Sequence, residues 1–120
     1  MKTHKDLDVY KLSVELVTSV YNTTKNFPKE ELFGLTSQIR RSAVSITTNI
    51  AEGSARHHSK EFKQFLYISL GSASELDTLL LIAHKLKLIN SEVYNELISK
   101  LTIISKKIQG LIKSIKTINQ

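Results

Sequence analysis

The sequence predicts an all-α fold, an antiparallel up-down-up-down four-helix bundle that self-associates. Three observations predict it. Apolar residues recur at spacings of three and four along almost the whole chain, with no strand-like alternation. Turn-forming residues are sparse, at four glycines and one proline in 120 residues. The connections between periodic runs are short, about four to nine residues, which places consecutive helices antiparallel.

The first segment covers about 6–25. Val9, Leu12, Leu16 and Val20 make one apolar row, and Tyr10, Val14, Val17 and Tyr21 make a second beside it. Together they form a stripe wide enough to face a core. Phe27 and Pro28 end it, because proline disfavours helical geometry in the residue before it. The second segment, 34–53, carries Leu35, Ile39, Ala43, Ile46 and Ile50 on one face, with Leu32 in the same row just before it. The third, 59–88, opens at Ser59 as the expected N-cap and presents Phe62, Phe65 or Leu66, Ser69, Ala73, Leu76, Leu80 and Ala83. The fourth, 91–118, has Asn90 and Ser91 as candidate caps. Its row of Tyr94, Leu97, Leu101, Ile104, Ile108, Leu111, Ile115 and Ile118 alternates steps of three and four without a break. A repeat sustained at that period calls for left-handed packing of near-parallel helices.

One domain accounts for residues 1–120, and a chain of this size buries enough surface to fold without a staple. No cysteine is present, which excludes disulfides, thiolate nucleophiles and cysteine-ligated metals. The polar N-terminus has no signal-peptide pattern, and no run approaches the ~20 apolar residues of a membrane span. The expected compartment is the cytoplasm, with no membrane partner.

Self-association is expected from surplus apolar surface. Leu79, Leu80, Leu81 and Ile82 are consecutive and sweep most of the helix circumference, so some would face solvent in a monomer. Ile98, Ile103 and Ile112, outside the main repeat of segment four, add to this surplus. The alternative is that Leu81 and Ile82 pack under the following loop.

A polar row runs beside the apolar face of segment two: Gln38, Ser42, Ser45, Asn49 and Glu52. Segment three offers Ser69, Ser72 and Glu75, and Arg40 and Arg41 flank the row near enough in principle to pair with Glu52 or Glu75. This reads as a hydrogen-bonded seam that fixes register, or else as a solvated face.

No catalytic, cofactor or metal site emerges. A di-iron bundle site needs a glutamate three residues before a histidine on two helices, and none of the four histidines has one. His57 and His58 are adjacent, about 100° apart on a helix, and cannot chelate together. No serine lies in a nucleophile-like setting, and Gly53-Ser54-Ala55 lacks the strand, spacing and lysine of a phosphate loop. A non-enzymatic protein is expected.

The charge is basic, 17 Lys and Arg against 11 Asp and Glu, a net +6. Such a surface favours polyanions. Arg56, His57, His58, Lys60 and Lys63 gather between segments two and three, and Lys100, Lys106, Lys107, Lys113 and Lys116 line segment four. Charges of this kind contact phosphates with steep salt dependence. There is no stacking platform and no helix-turn-helix pattern, so binding of structured RNA or DNA would follow the backbone. The alternative is an oligomeric protein–protein adaptor whose charge serves solubility.

The run Gly34-Leu35-Thr36-Ser37-Gln38-Ile39-Arg40-Arg41-Ser42-Ala43-Val44-Ser45-Ile46 is followed by Asn49-Ile50-Ala51-Glu52-Gly53. Phe65-Leu66-Tyr67-Ile68, Gly71-Ser72 and Glu75-Leu76 come after it. This wording resembles a bacterial family, the four-helix bundle proteins encoded in intervening sequences of some 23S ribosomal RNA genes and labelled S23 ribosomal protein. The resemblance implies an antiparallel four-helix bundle that assembles as a homopentameric ring or barrel. It also implies kinship with the accessory protein of diversity-generating retroelements, which is basic and associates with nucleic acid and a reverse transcriptase. The ribosomal label reflects gene location. Gln38, Arg40, Arg41, Asn49, Glu52 and Glu75 match the family pattern, while Thr47 stands where the family usually has proline, so a straighter helix is expected there.

Overall fold

Apolar periodicity of the kind described forms helices because each turn then buries one face against the others. In the computed structural model, which describes residues 4 and 7–115, four helices do this: α1 (Asp8–Thr24), α2 (Leu35–Ser54), α3 (Ser59–Lys85) and α4 (Ser91–Ser114). A short 3₁₀ turn, Lys29–Glu31, follows Pro28, a feature the apolar periodicity does not signal. No strand occurs among the described residues. The helices pack in cyclic order, α1 on α2, α2 on α3, α3 on α4 and α4 on α1, with no Cα atoms of diagonal pairs within 8 Å among the described residues. The bundle measures 50 × 24 × 23 Å.

The core takes its largest fully buried side chains from all four helices: Leu16 and Val20, Ile39, Ile46 and Ile50, Leu66, Leu76 and Leu80, Ile104 and Ile108. Burying each aliphatic side chain of this size contributes roughly 1.5–3 kcal/mol. The expected faces of segments two and three are those that are buried, except that Phe62 is only half-buried and Leu32 lies outside α2 and is 48% exposed. On α4 the strict repeat drifts. Ile112 is buried and Leu111 only half-buried, so the core face steps Ile104, Ile108, Ile112. A helix at 3.6 residues per turn slips in this way against a 3.5-residue repeat. Ile112 therefore belongs to the core and not to the surface surplus, and Ile118 lies outside the described residues.

The ends differ from expectation in instructive ways. Ser59 is the first helical residue of α3 and not its cap. His58 holds the N-cap position without a side-chain hydrogen bond, its carbonyl accepting from Phe62 N–H at 3.1 Å. α3 also stops at Lys85, short of Leu88. Lys87 turns into the left-handed region at φ 65°, where its N–H bonds to His84 O at 3.0 Å and Leu88 N–H to Ala83 O at 2.9 Å. That is a Schellman closure with lysine at the position glycine usually holds. Asn90 caps α4, its Oδ1 accepting from Val93 N–H at 2.8 Å.

α2 runs uninterrupted through Thr47. Thr47 Oγ1 donates to Ser13 Oγ at 2.9 Å, and the fully buried Ser13 hydroxyl donates on to Tyr10 O at 2.7 Å. Gly53, the last residue of the Asn-Ile-Ala-Glu-Gly stretch, sits in the final turn of α2 against α3. A Cβ there would lie 2.7 Å from Phe65 Cβ and 3.0 Å from Phe62 Cδ1. The glycine is required by close helix approach, not by a loop. α3 is long and apolar enough to span a bilayer by length and composition, which amends the expectation that no stretch is. Its apolar character is divided between the core (Leu66, Leu76, Leu80) and an exposed outer side (Tyr67, Ile68, Leu81, Ile82).

Candidate nucleic-acid interface

Three contacts gather the basic residues. Lys107 Nζ lies 2.8 Å from Asp8 Oδ2, joining the C-terminal half of α4 to the start of α1. The Ser13–Thr47 hydrogen bond joins the start of α1 to the second half of α2. Gly53 against Phe62 and Phe65 joins the end of α2 to the start of α3. Arg56, His57, His58, Lys60, Lys63, Lys106, Lys107 and Lys113 therefore lie toward one end of the bundle, interspersed with Asp8, Glu52 and Glu61.

The cations differ in how they are held. Arg56 Nη2 lies 2.8 Å from Glu52 Oε1, and its guanidinium stacks 4.9 Å from the Phe65 ring centroid. Both ends of that pair are well exposed, so it contributes little to stability while fixing the guanidinium in place. Lys107 is neutralised by Asp8. Lys100 sits nearer mid-bundle, with Nζ 3.0 Å from Ser19 Oγ and 3.5 Å from Glu96 Oε1. Lys63 is half-buried. His57, His58, Lys60, Lys106 and Lys113 are exposed, and none has a side-chain hydrogen bond or ion pair among the described residues. Lys116 lies outside the described residues. The expected cationic surface thus divides: His57, His58, Lys60, Lys106 and Lys113 have no side-chain partner among the described residues, while Arg56 pairs with Glu52 at the same end and Lys107 and Lys100 tie α4 to α1.

The polar row also divides. Its middle is a hydrogen-bonded seam between α2 and α3: Ser45 Oγ and Ser72 Oγ are 2.8 Å apart, and Asn49 Nδ2 donates to Ser45 O at 2.8 Å and to Ser45 Oγ at 3.0 Å. Ser69, fully buried, donates to the Ile46 carbonyl across the helices. The charged members lie elsewhere. Arg40 turns to α1, donating from Nε to Thr24 Oγ1 at 2.8 Å with its Cζ 4.4 Å from the Tyr21 centroid. Glu52 pairs with Arg56. Gln38, Arg41 and Glu75 are exposed around a cleft of about 400 Å³ shared with Ser42 and Ser45. Arg41 and Glu75 form no ion pair among the described residues.

A second cleft, about 520 Å³, opens at the α3–α4 turn beside His84, Lys85, Lys87 and Ser91. There the fold brings together a serine and a histidine that sequence spacing does not, Ser91 Oγ being 3.1 Å from His84 Nε2. Tyr94 stacks on the imidazole at 4.6 Å. No carboxylate bonds to that ring among the described residues. Nor do those residues hold a group of three potential metal ligands.

The comparisons with known proteins agree with this architecture. A family model described as 23S rRNA-intervening sequence protein matches residues 5–110. Among solved structures, a protein of unknown function of the S23 ribosomal protein family from Bacteroides thetaiotaomicron VPI-5482 superposes with a TM-score of 0.79 at 28% identity. The match covers 88% of this chain and 99% of that one. No curated protein matches the chain. With the family pattern extending over nearly the whole bundle, this chain belongs to the 23S rRNA-intervening sequence protein family.

Proposed function

We propose that this chain is a non-enzymatic, cytoplasmic, homo-oligomeric bundle, pentameric as the family resemblance implies, that binds structured RNA or DNA through the phosphate backbone. The antiparallel up-down-up-down course is supported by paired positions: 13 with 47 and 24 with 40 across α1 and α2, then 45 with 72 and 53 with 62 across α2 and α3. In each set the numbers rise on one helix as they fall on the other.

The observation that carries the nucleic-acid reading is the gathering at one end of exposed Lys60, Lys106 and Lys113, unpaired among the described residues, with His57 and His58. A ring of subunits would repeat that end around its rim, multiplying phosphate contacts without base readout. The test is fluorescence anisotropy with labelled RNA hairpins and duplex DNA, from roughly 50 mM salt upward. Binding should weaken steeply with salt. The Lys60→Glu, Lys106→Glu and Lys113→Glu triple variant should flatten the salt slope, by about 0.9 for each phosphate of duplex DNA that it no longer neutralises. Lys85→Glu, at the opposite turn, should leave it unchanged. Absence of binding at the lowest salt would favour the adaptor reading.

A further inference from the structure

Sequence spacing gives no sign that Tyr21 meets Arg40, and the fold joins them. Arg40 donates from Nε to Thr24 Oγ1 at 2.8 Å, which holds its guanidinium with Cζ 4.4 Å from the Tyr21 ring centroid. Its Nη nitrogens are left without a hydrogen bond among the described residues. Tyr21 is 42% exposed. Arg41, the next residue after Arg40, is exposed and has no ion pair among the described residues. These three side chains border one cleft of about 340 Å³ where α1 meets α2, and Val44, Ser45 and Thr48 complete its lining. That volume lies at the low end of the range for ligand pockets, roughly 300–1,000 Å³.

The surroundings leave both guanidiniums uncompensated. No Asp or Glu occurs from Leu16 to Lys29 on the α1 side, nor from Leu35 to Ala51 on α2. Glu75, across the cleft shared with α3, borders Arg41 without pairing to it. Two adjacent guanidiniums match an anion with several acceptor oxygens, and phosphate is the best fit to their planar forks. The ring–guanidinium stack offers a flat π-surface held in one orientation, which suits a heteroaromatic ring. Half-buried Val44 gives that ring an apolar floor, and the exposed Thr48 hydroxyl can pair with a sugar or base. A bare phosphate would leave Tyr21 idle, and a neutral aromatic would leave the arginines unmatched.

We infer that this α1–α2 cleft binds a nucleoside phosphate, its phosphate on Arg41 and the Arg40 Nη groups and its base stacked on the Tyr21–Arg40 pair. The site lies near the end of α1 and the start of α2, in the half of the bundle away from the basic end. It is independent of the phosphate-backbone reading given above. A free nucleotide and an unpaired nucleotide of an RNA supply the same chemistry.

The experiment is isothermal titration of the full chain with adenosine monophosphate, adenosine and inorganic phosphate, with far-UV circular dichroism on every variant. The nucleotide should bind, and adenosine and phosphate should each bind at least roughly tenfold more weakly. Arg41→Gln should weaken the nucleotide roughly tenfold and leave adenosine unchanged. Tyr21→Leu should weaken nucleotide and adenosine alike and leave phosphate unchanged, a selectivity that loss of folding cannot mimic. Lys11→Gln, the same loss of charge at an exposed position near the start of α1, should bind the nucleotide as the parent does. Absence of nucleotide binding at about 1 mM overturns the site. Equal affinity for nucleotide and phosphate, or equal losses in Lys11→Gln and Arg41→Gln, overturns it as well. Where the nucleotide binds, displacement by an RNA hairpin with an unpaired loop assigns the site to RNA, and failure of displacement assigns it to the free nucleotide. None of these readouts depends on the salt slope of the basic end, so either reading can fail while the other stands.

Discussion

Replacing Gly53 with alanine sets two effects of opposite sign against each other. Gly53 is helical, and helix propensity alone favours alanine by about 1 kcal/mol. The packing opposes it. The new methyl would stand 2.7 Å from Phe65 Cβ, an atom fixed by its own backbone, and 3.3 Å from the Phe62 carbonyl oxygen. Reaching an ordinary contact needs about 0.7 Å of separation between α2 and α3. The Ser45–Ser72 hydrogen bond, 2.8 Å long, and the Ser69–Ile46 bond lie along the same seam and would stretch with it. Overpacking of this kind costs about 1–3 kcal/mol, and contact with unyielding atoms places it near the upper end. The net expectation is a loss of about 2 kcal/mol, or about 8 °C in Tm for a domain of this size. Urea denaturation followed by circular dichroism, at one fixed protein concentration because association shifts apparent stability, measures it. Gly110→Ala is the control: Gly110 is exposed on α4 with nothing within 4 Å, and should gain about 1 kcal/mol. If Gly53→Ala matches or exceeds the parent while Gly110→Ala shows its gain, the close-approach argument is wrong.

Two further expectations concern the α3–α4 turn. Lys87→Gly removes a side chain from the left-handed region at φ 65°, where non-glycine residues lose roughly 1–2 kcal/mol, so thermal melting should rise by a few degrees after the entropic cost of glycine is offset. Asn90→Ala deletes the hydrogen bond to Val93 N–H and should lower stability by about 1 kcal/mol in urea titration, whereas Asn90→Asp should hold it.

The fold is legible in the sequence because it depends on periodicity. Ile39, Ile46 and Ile50 on α2 and Leu66, Leu76 and Leu80 on α3 recur at helical spacing and are buried for that reason. Less legible are features set by a partner remote in sequence. Gly53 reads only as the end of the second segment, with nothing to mark it as a close-packing position, until Phe62 and Phe65 are placed against it. Arg40 looks available to acids on its own side of the bundle, yet it rotates to Thr24 and Tyr21 on α1. Lys107 counts as a free surface charge until Asp8, far away in the chain, is beside it. The start of α3 at Ser59 and the lysine in the left-handed turn are hidden because cap and turn preferences are statistical, and here His58 and Lys87 hold positions that other residues usually occupy.

The distribution of hydrogen bonds has a consequence for how the molecule opens. α2 is fastened to both neighbours by buried or half-buried side-chain bonds, through Ser13–Thr47 and Arg40–Thr24 on one side and Ser45–Ser72 and Ser69–Ile46 on the other. α4 is tied through the exposed Lys107–Asp8 pair, the half-buried Lys100–Ser19 bond and the exposed His84–Ser91 contact, so two of its three side-chain ties are reachable by water and salt. Partial unfolding should therefore begin by lifting α4 away, leaving α1 to α3 as the slower-exchanging unit. The helix that lifts first also carries Lys106 and Lys113, so a bound polyanion clamping the basic end would couple ligand occupancy to the first step of the protein's own breathing.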